Sequence, residues 1–140
     1  MKFKIKYIII LLLTFSFKVT LAQNDKVESM KVAFITKEVN LTTTEAQSFW
    51  PIYNEYNDKV KSLRKNFRAN NDSKEDFAND KEAEDFLNAE LKLKQNEVDL
   101  RKEYTEKFKK IIGVKKTAQL RKAEDKFLRI VINTAKGNGP

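Results

Sequence analysis

A chain of 140 residues with only three glycines and two prolines has the length of one small domain, and it lacks the turn residues that a sheet sandwich or barrel needs. Abundant Lys, Glu, Ala and Leu favour helices instead, so an all-α fold is expected. The absence of His and Cys removes the commonest general base, the thiol nucleophile, disulfide staples and the usual ligands for zinc or copper; neither an enzyme nor a metal or cofactor site is expected.

The chain opens on "MKFKIK", a positive stretch, and continues with an apolar run from Tyr7 to Phe17, then Lys18. The following "VTLAQ" sets Thr20 and Ala22 at the spacing a signal peptidase reads. Residues 1–22 are therefore expected to be a signal peptide cut after Ala22. The apolar run is shorter than the roughly 20 residues a membrane-spanning helix needs. The whole chain carries 28 Lys and Arg against 20 Asp and Glu, a formal net charge of +8. Four of the lysines and none of the acids belong to the leader, so cleavage leaves 24 against 20, or +4. Residues 23–136 are expected to form a single all-helical domain, with 137–140 as a flexible tail.

A first helix is expected over about residues 25–38, with Val27, Met30, Phe34 and Ile35 as its apolar stripe. A second begins at "LTTTEA". Thr42 has the place of an N-cap, and Glu45, three positions on, can reach back to the cap's amide as in a capping box, with Leu41 and Ala46 placed for a hydrophobic staple. Ala46, Phe49, Tyr53, Tyr56, Val60, Leu63 and Phe67 then alternate spacings of three and four, the seam of a helix about 40 Å long. Within it Pro51 lacks a donor and crowds the carbonyl of Gln47, so a kink is expected beside Phe49 and Trp50.

"ANNDSKEDFAND", Ala69 to Asp80, reads as a polar connection with a partial turn around Phe77. A third helix is expected from about Lys81 to Ile112, with Phe86, Leu93, Leu100, Tyr104, Phe108 and Ile111 on one face and Gly113 as its stop. Glu90 and Glu97 fall where that seam would want hydrophobes, leaving either a solvated groove or a weak pairing. A fourth helix, about Lys116 to Ala135, would turn Leu120, Ala123, Phe127, Ile130 and Val131 inward.

Residues 101–129 carry 11 Lys and Arg, among them Arg101, Lys109, Lys110, Lys115, Lys116, Arg121 and Lys122, against four acids. Such a stretch either attracts acidic clients, lipid phosphates or a partner protein, or simply suits helix ends and solubility. On an exported chain, nucleic acid is not expected as a partner. The carboxylates Asp72, Glu75, Asp76 and Asp80 have no glycine-turned calcium loop among them, and no glycine-rich phosphate loop stands anywhere in the chain.

The run "KVAFITKEVNLTTTEAQSFWPIYNEY" resembles the first half of the Spy/CpxP-like periplasmic family with its LTxxQ motif. It is closest to the branch labelled sensors of extracytoplasmic-function sigma factors. The residues that carry the likeness are Leu41, Thr42, Glu45, Gln47 and Pro51, with Phe49, Trp50, Tyr53 and Tyr56 between and after them. "KAEDKFLRIVI", Lys122 to Ile132, resembles a second pattern of the same family. The chain departs from the pattern at Glu45, which stands where the motif has Gln, and at "GVKKTAQL", which lacks a good N-cap for a second repeat.

The resemblance implies an elongated, bowed hairpin of about four helices that forms a cradle-like homodimer in the periplasm. It also implies one of two roles: an ATP-independent chaperone for unfolded envelope proteins under stress, or an adaptor that binds one membrane receptor or anti-sigma partner. Trp50, Tyr53 and Tyr56, together with the cations of residues 101–129, are the expected client or partner contacts. The three aromatics serve equally well as intramolecular core.

Overall fold

A computed structural model describes residues 26–71 and 76–137; the expected signal peptide, its cleavage site and the last three residues of the tail lie outside them. The described residues form three helices and no strand: α1 over 26–39, α2 over Thr43–Asn71 and α3 over Asp80–Ala135. Their contacts gather into two compact units, one of residues up to Asn40 together with Leu120 onward, the other of Leu41–Gln119.

In the second unit α2 starts as its sequence dictates. The Thr42 amide donates to Glu45 Oε2 at 2.8 Å and the Glu45 amide donates to Thr42 Oγ1 at 3.2 Å, a closed capping box. The helix runs 29 residues and contains Pro51, which is exposed. It ends later than the polar run suggests, and the side-chain amides of Asn70 and Asn71 donate to the carbonyls of Asn66 and Phe67 at 2.9 and 2.7 Å. These bonds fold both asparagine side chains back onto the preceding turn.

Helix α3 begins at a cap formed by Asn79 and Glu82, which goes beyond the expected helix starts. Asn79 Oδ1 accepts from the Glu82 amide at 3.0 Å, and Glu82 Oε2 in turn accepts from the Ala78 amide at 2.7 Å. The expected third and fourth helices are the two limbs of α3. They meet at Gly113, whose φ of 76° and ψ of 165° interrupt the helix for one residue. No loop separates the limbs, so "GVKKTAQL" needs no capping side chain at a new start. The buried Thr117 instead donates its hydroxyl to the Gly113 carbonyl at 2.8 Å.

α2 packs antiparallel to the first limb of α3, as the partners show: Phe49 with Phe108, Tyr56 with Tyr104, Arg64 with Glu97 and Phe67 with Phe86. At the capped end the seam is an aromatic cluster of Phe49, Tyr53, Tyr56, Tyr104 and Phe108, all buried. Each such ring contributes about 1.5–3 kcal/mol by leaving water, with edge or tilted ring contacts adding to it. Further along, the seam thins: Leu63, Phe67, Phe86, Leu93 and Leu100 are only half-buried. Glu97 lies in this thinner part with its side chain 15% exposed, and Arg64 Nε meets it at 2.6 Å. Glu90 turns outward. The polar middle of the third predicted helix is thus one neutralised carboxylate in the seam and one solvated one off it.

In the first unit, α1 lies antiparallel to the end of α3. Phe34 meets Phe127 at 5.6 Å between ring centroids and Glu38 accepts from Lys126 Nζ at 2.9 Å. Ile35, Val39, Leu120, Ala123 and Phe127 are its buried residues. The expected stripe of α1 is only half inside, since Val27 and Met30 are exposed, and Ile130 is exposed rather than inward. Two short helical stretches offer too few facing positions to cover every apolar side chain they carry.

Candidate functional site

The expected contact aromatics do not form an exposed edge. Tyr53 is 1% and Tyr56 is 8% exposed, and both pack on Phe108 at 6.1 Å between centroids. They are core, because the seam that brings them together also covers them. Trp50 alone of the three stays half-exposed, edge-on to Phe49 at 5.1 Å and Tyr53 at 5.3 Å. It caps the cluster from outside.

The cations divide into those in use and those at large. Lys116 donates to Glu45 Oε2 at 2.5 Å, so it ties α3 to the start of α2. Lys109 pairs with Glu106 and Arg121 with Glu124, both at 2.6 Å within their own helix turn. Arg101, Lys110, Lys115 and Lys122 are exposed and have no ion-pair partner among the described residues.

Buried polar atoms are all accounted for: among the described residues no buried side-chain N or O lacks a hydrogen-bond partner. The tightest polar arrangement surrounds Tyr104, whose hydroxyl donates to Glu55 Oε1 at 2.5 Å. Lys107 Nζ lies 4.1 Å and Lys59 Nζ 5.1 Å from its ring centroid, cation–π contacts. The Tyr104 hydroxyl, then Lys59, hold the Glu55 carboxyl below the usual range. Lys116, then the Thr42 amide, do so for Glu45, and Lys107 does so for Glu103. All three groups titrate lower folded than unfolded, so their contribution to stability is complete above about pH 4.5 and is lost as pH falls through the folded values. The urea midpoint is expected to hold between pH 7 and 5 and to fall below that, and Glu55→Gln is expected to shallow the fall.

Where the seam thins, clefts open between α2 and α3. One of about 450 Å³ is lined by the half-buried Leu63, Phe67, Ala89 and Leu93 and by the exposed Asn66, Lys92 and Asn96. A smaller one of about 200 Å³ lies beside the same Phe67 and Leu93 and is bordered by Arg64, Arg68, Lys94 and Glu97. A third, about 430 Å³, is lined by Phe77, Phe86, Asn79 and Asp85. Apolar floors with amide and charged rims suit an extended polypeptide: the floor takes aliphatic side chains, and the rim offers both donors and acceptors to the backbone. The solvated groove expected from Glu90 and Glu97 thus has Glu97 at one of its clefts, but the part that Phe67 and Leu93 take in it goes beyond that expectation, which placed both as ordinary seam residues. The signal was the cluster Asn66, Asn70, Asn71 at the end of α2, where a closed helix pair needs no amides.

A second exposed apolar feature runs along α3. Leu87, Leu91 and Val98 are 56%, 68% and 45% exposed, and their spacing of four and seven places them on one helix face. Among the described residues no group of acids stands close enough to hold a metal ion, and no helix is long and apolar enough to cross a membrane.

Neither protein-family models, curated proteins nor solved structures gave a match to the chain.

Proposed function

We propose that the protein is an ATP-independent chaperone of the bacterial periplasm that holds unfolded envelope proteins in extended form. The observation that carries this reading is the open, amide-rimmed apolar groove floored by Leu63, Phe67 and Leu93. Such a surface grips aliphatic side chains without regard to sequence, because amide rims pair with any peptide backbone. The cations Lys110 and Lys115, exposed and without an ion-pair partner among the described residues, would gather acidic stretches of a client at long range. A chain without His or Cys has little to offer catalysis, and binding alone needs neither nucleotide nor metal. The signal peptide expected over residues 1–22 and the resemblance of residues 31–56 to the Spy/CpxP-like family are what support the periplasmic setting.

The homodimer of this reading has a natural seam. Glu84, Leu87, Leu91, Lys94, Val98 and Arg101 follow alternating steps of three and four along α3, the a and d positions of a heptad, and all six are exposed. Two antiparallel copies bring Leu87 of one against Val98 of the other, Leu91 against Lys94, and Glu84 against Arg101. Arg101→Glu is expected to lower the dimer fraction in sedimentation, and adding Glu84→Arg in the same chain is expected to restore it. A single variant that leaves the dimer intact would remove α3 from the seam. A kink at Pro51, where the helix loses one amide donor, would give such a dimer the curvature of a cradle.

The experiment for the function is suppression of light scattering from two unrelated aggregating proteins, without nucleotide. Protection of both is the expected result, with loss at high salt for acidic clients. Protection of neither, with capture of one folded envelope protein, would instead favour the adaptor role.

A further inference from the structure

The first unit carries a surface that the groove and the α3 seam leave unused. Its described residues, 26–40 and 120–137, hold eight basic and four acidic side chains, a net +4; the described residues of the larger unit hold 15 and 13, a net +2. Positive charge is therefore concentrated in the smaller unit. Five of the ten exposed large apolar side chains also belong to it: Val27, Met30, Leu128, Ile130 and Ile132.

Helix geometry places part of both sets together. Val27, Met30 and Phe34 share one face of α1 at steps of three and four, and Lys122, Lys126, Arg129 and Ile130 share one face of α3. Lys126 Nζ lies 5.6 Å from the Phe34 ring centroid, so those two faces look out on the same side of the helix pair. The antiparallel pairing of Phe34 with Phe127 brings Met30 level with Ile130. The result is an aliphatic patch of Val27, Met30 and Ile130 beside Lys122, Lys126 and Arg129. Two carboxylates share this side, Glu38, held by Lys126, and the exposed Asp125, three residues after Lys122 and four before Arg129, so the three cations leave a net charge of +1 among these five groups.

We propose that this face rests on an anionic lipid surface, its lysines and arginine on the headgroup phosphates and its aliphatics in the headgroup boundary. Cations beside aliphatics on an exposed helical surface are what an interfacial site requires. Leu128 and Ile132, on another face of the same limb, are not part of it. The patch and the flanking cations lie too far apart in chemistry for one compact ligand, whereas a layer of phosphates above acyl chains meets both. The proposal stands independently of the chaperone reading and gives the protein a place to wait at the membrane.

Co-sedimentation of the full chain with phosphatidylcholine vesicles, and with vesicles containing about 30% phosphatidylglycerol, tests it. Residues 1–25 are the same in every variant, so differences between variants report on this face. Preference for the anionic vesicles is expected. Lys122→Gln with Arg129→Gln should weaken that binding about 30-fold, and Met30→Ser with Ile130→Ser about tenfold. All four positions are exposed, and circular dichroism checks that the variants fold. Equal binding to both vesicle types, or binding that neither double variant changes, would overturn the proposal. So would absence of vesicle binding by a chain that polyglutamate saturates, which would assign the face to an acidic protein.

Discussion

Phe49→Ala is expected to cost about 3–5 kcal/mol of unfolding free energy, a large part of the roughly 5–15 kcal/mol that holds a domain of this size. The ring is fully buried and touches three others: Trp50 at 5.1 Å, Tyr53 at 5.3 Å and Phe108 at 5.3 Å. Two of these are neighbours on its own helix and one comes from α3, so removal leaves a cavity that neither helix can close alone. Backbone on both sides is fixed by the capping box and by the Glu45–Lys116 bond. Trp50→Ala, by contrast, removes a half-exposed ring from the outside of the same cluster and is expected to cost clearly less. Urea unfolding with an unchanged slope measures both. If the two variants cost the same, the cluster is not the centre of this unit's stability.

Gly113→Ala is expected to destabilise by about 1–3 kcal/mol, because φ 76° with ψ 165° belongs to a region that only glycine enters without strain. Steric crowding from neighbours plays no part, since a Cβ placed there meets nothing within 4 Å. The sign separates two accounts of the break. Were the two limbs of α3 free to join into one straight helix, alanine would remove the break and gain about 1 kcal/mol of helix propensity instead. A loss of stability means that packing on either side, including Thr117 against the Gly113 carbonyl, holds the limbs as they are.

The helix starts and the capped half of the seam could be read from residue types alone. Thr42 and Glu45 form the box their spacing announces, because a cap is decided by a few neighbouring atoms. Phe49, Tyr53, Tyr104 and Phe108 could be placed on facing seams because their periodicity is unbroken. Which of the aromatics would be covered was not legible: Tyr53 and Tyr56 carry hydroxyls that suit either a surface or an interior, and only the partner helix decides. The groove was legible only as a polar gap at Glu90 and Glu97, for a related reason. Whether Phe67 and Leu93 close on one another depends on the distance between two helices, and periodicity within each helix contains no such distance. Ile130, expected inward, and Met30, expected on an apolar stripe, are both exposed, because a short helix pair covers fewer positions than a stripe of four suggests. The fates of Lys116 and Lys109 turned on acids that are distant in the chain in one case and three residues away in the other.

The central claim, that this chain holds unfolded polypeptides of many kinds, is tested most directly by binding equilibria for two unrelated proteins, each in its native form and as a permanently unfolded derivative. Saturable binding of both unfolded derivatives is expected, with affinities within about tenfold of each other because a groove of this chemistry does not read sequence, and no binding of either native form. Binding to neither unfolded derivative, under conditions where the helices remain formed, would contradict it.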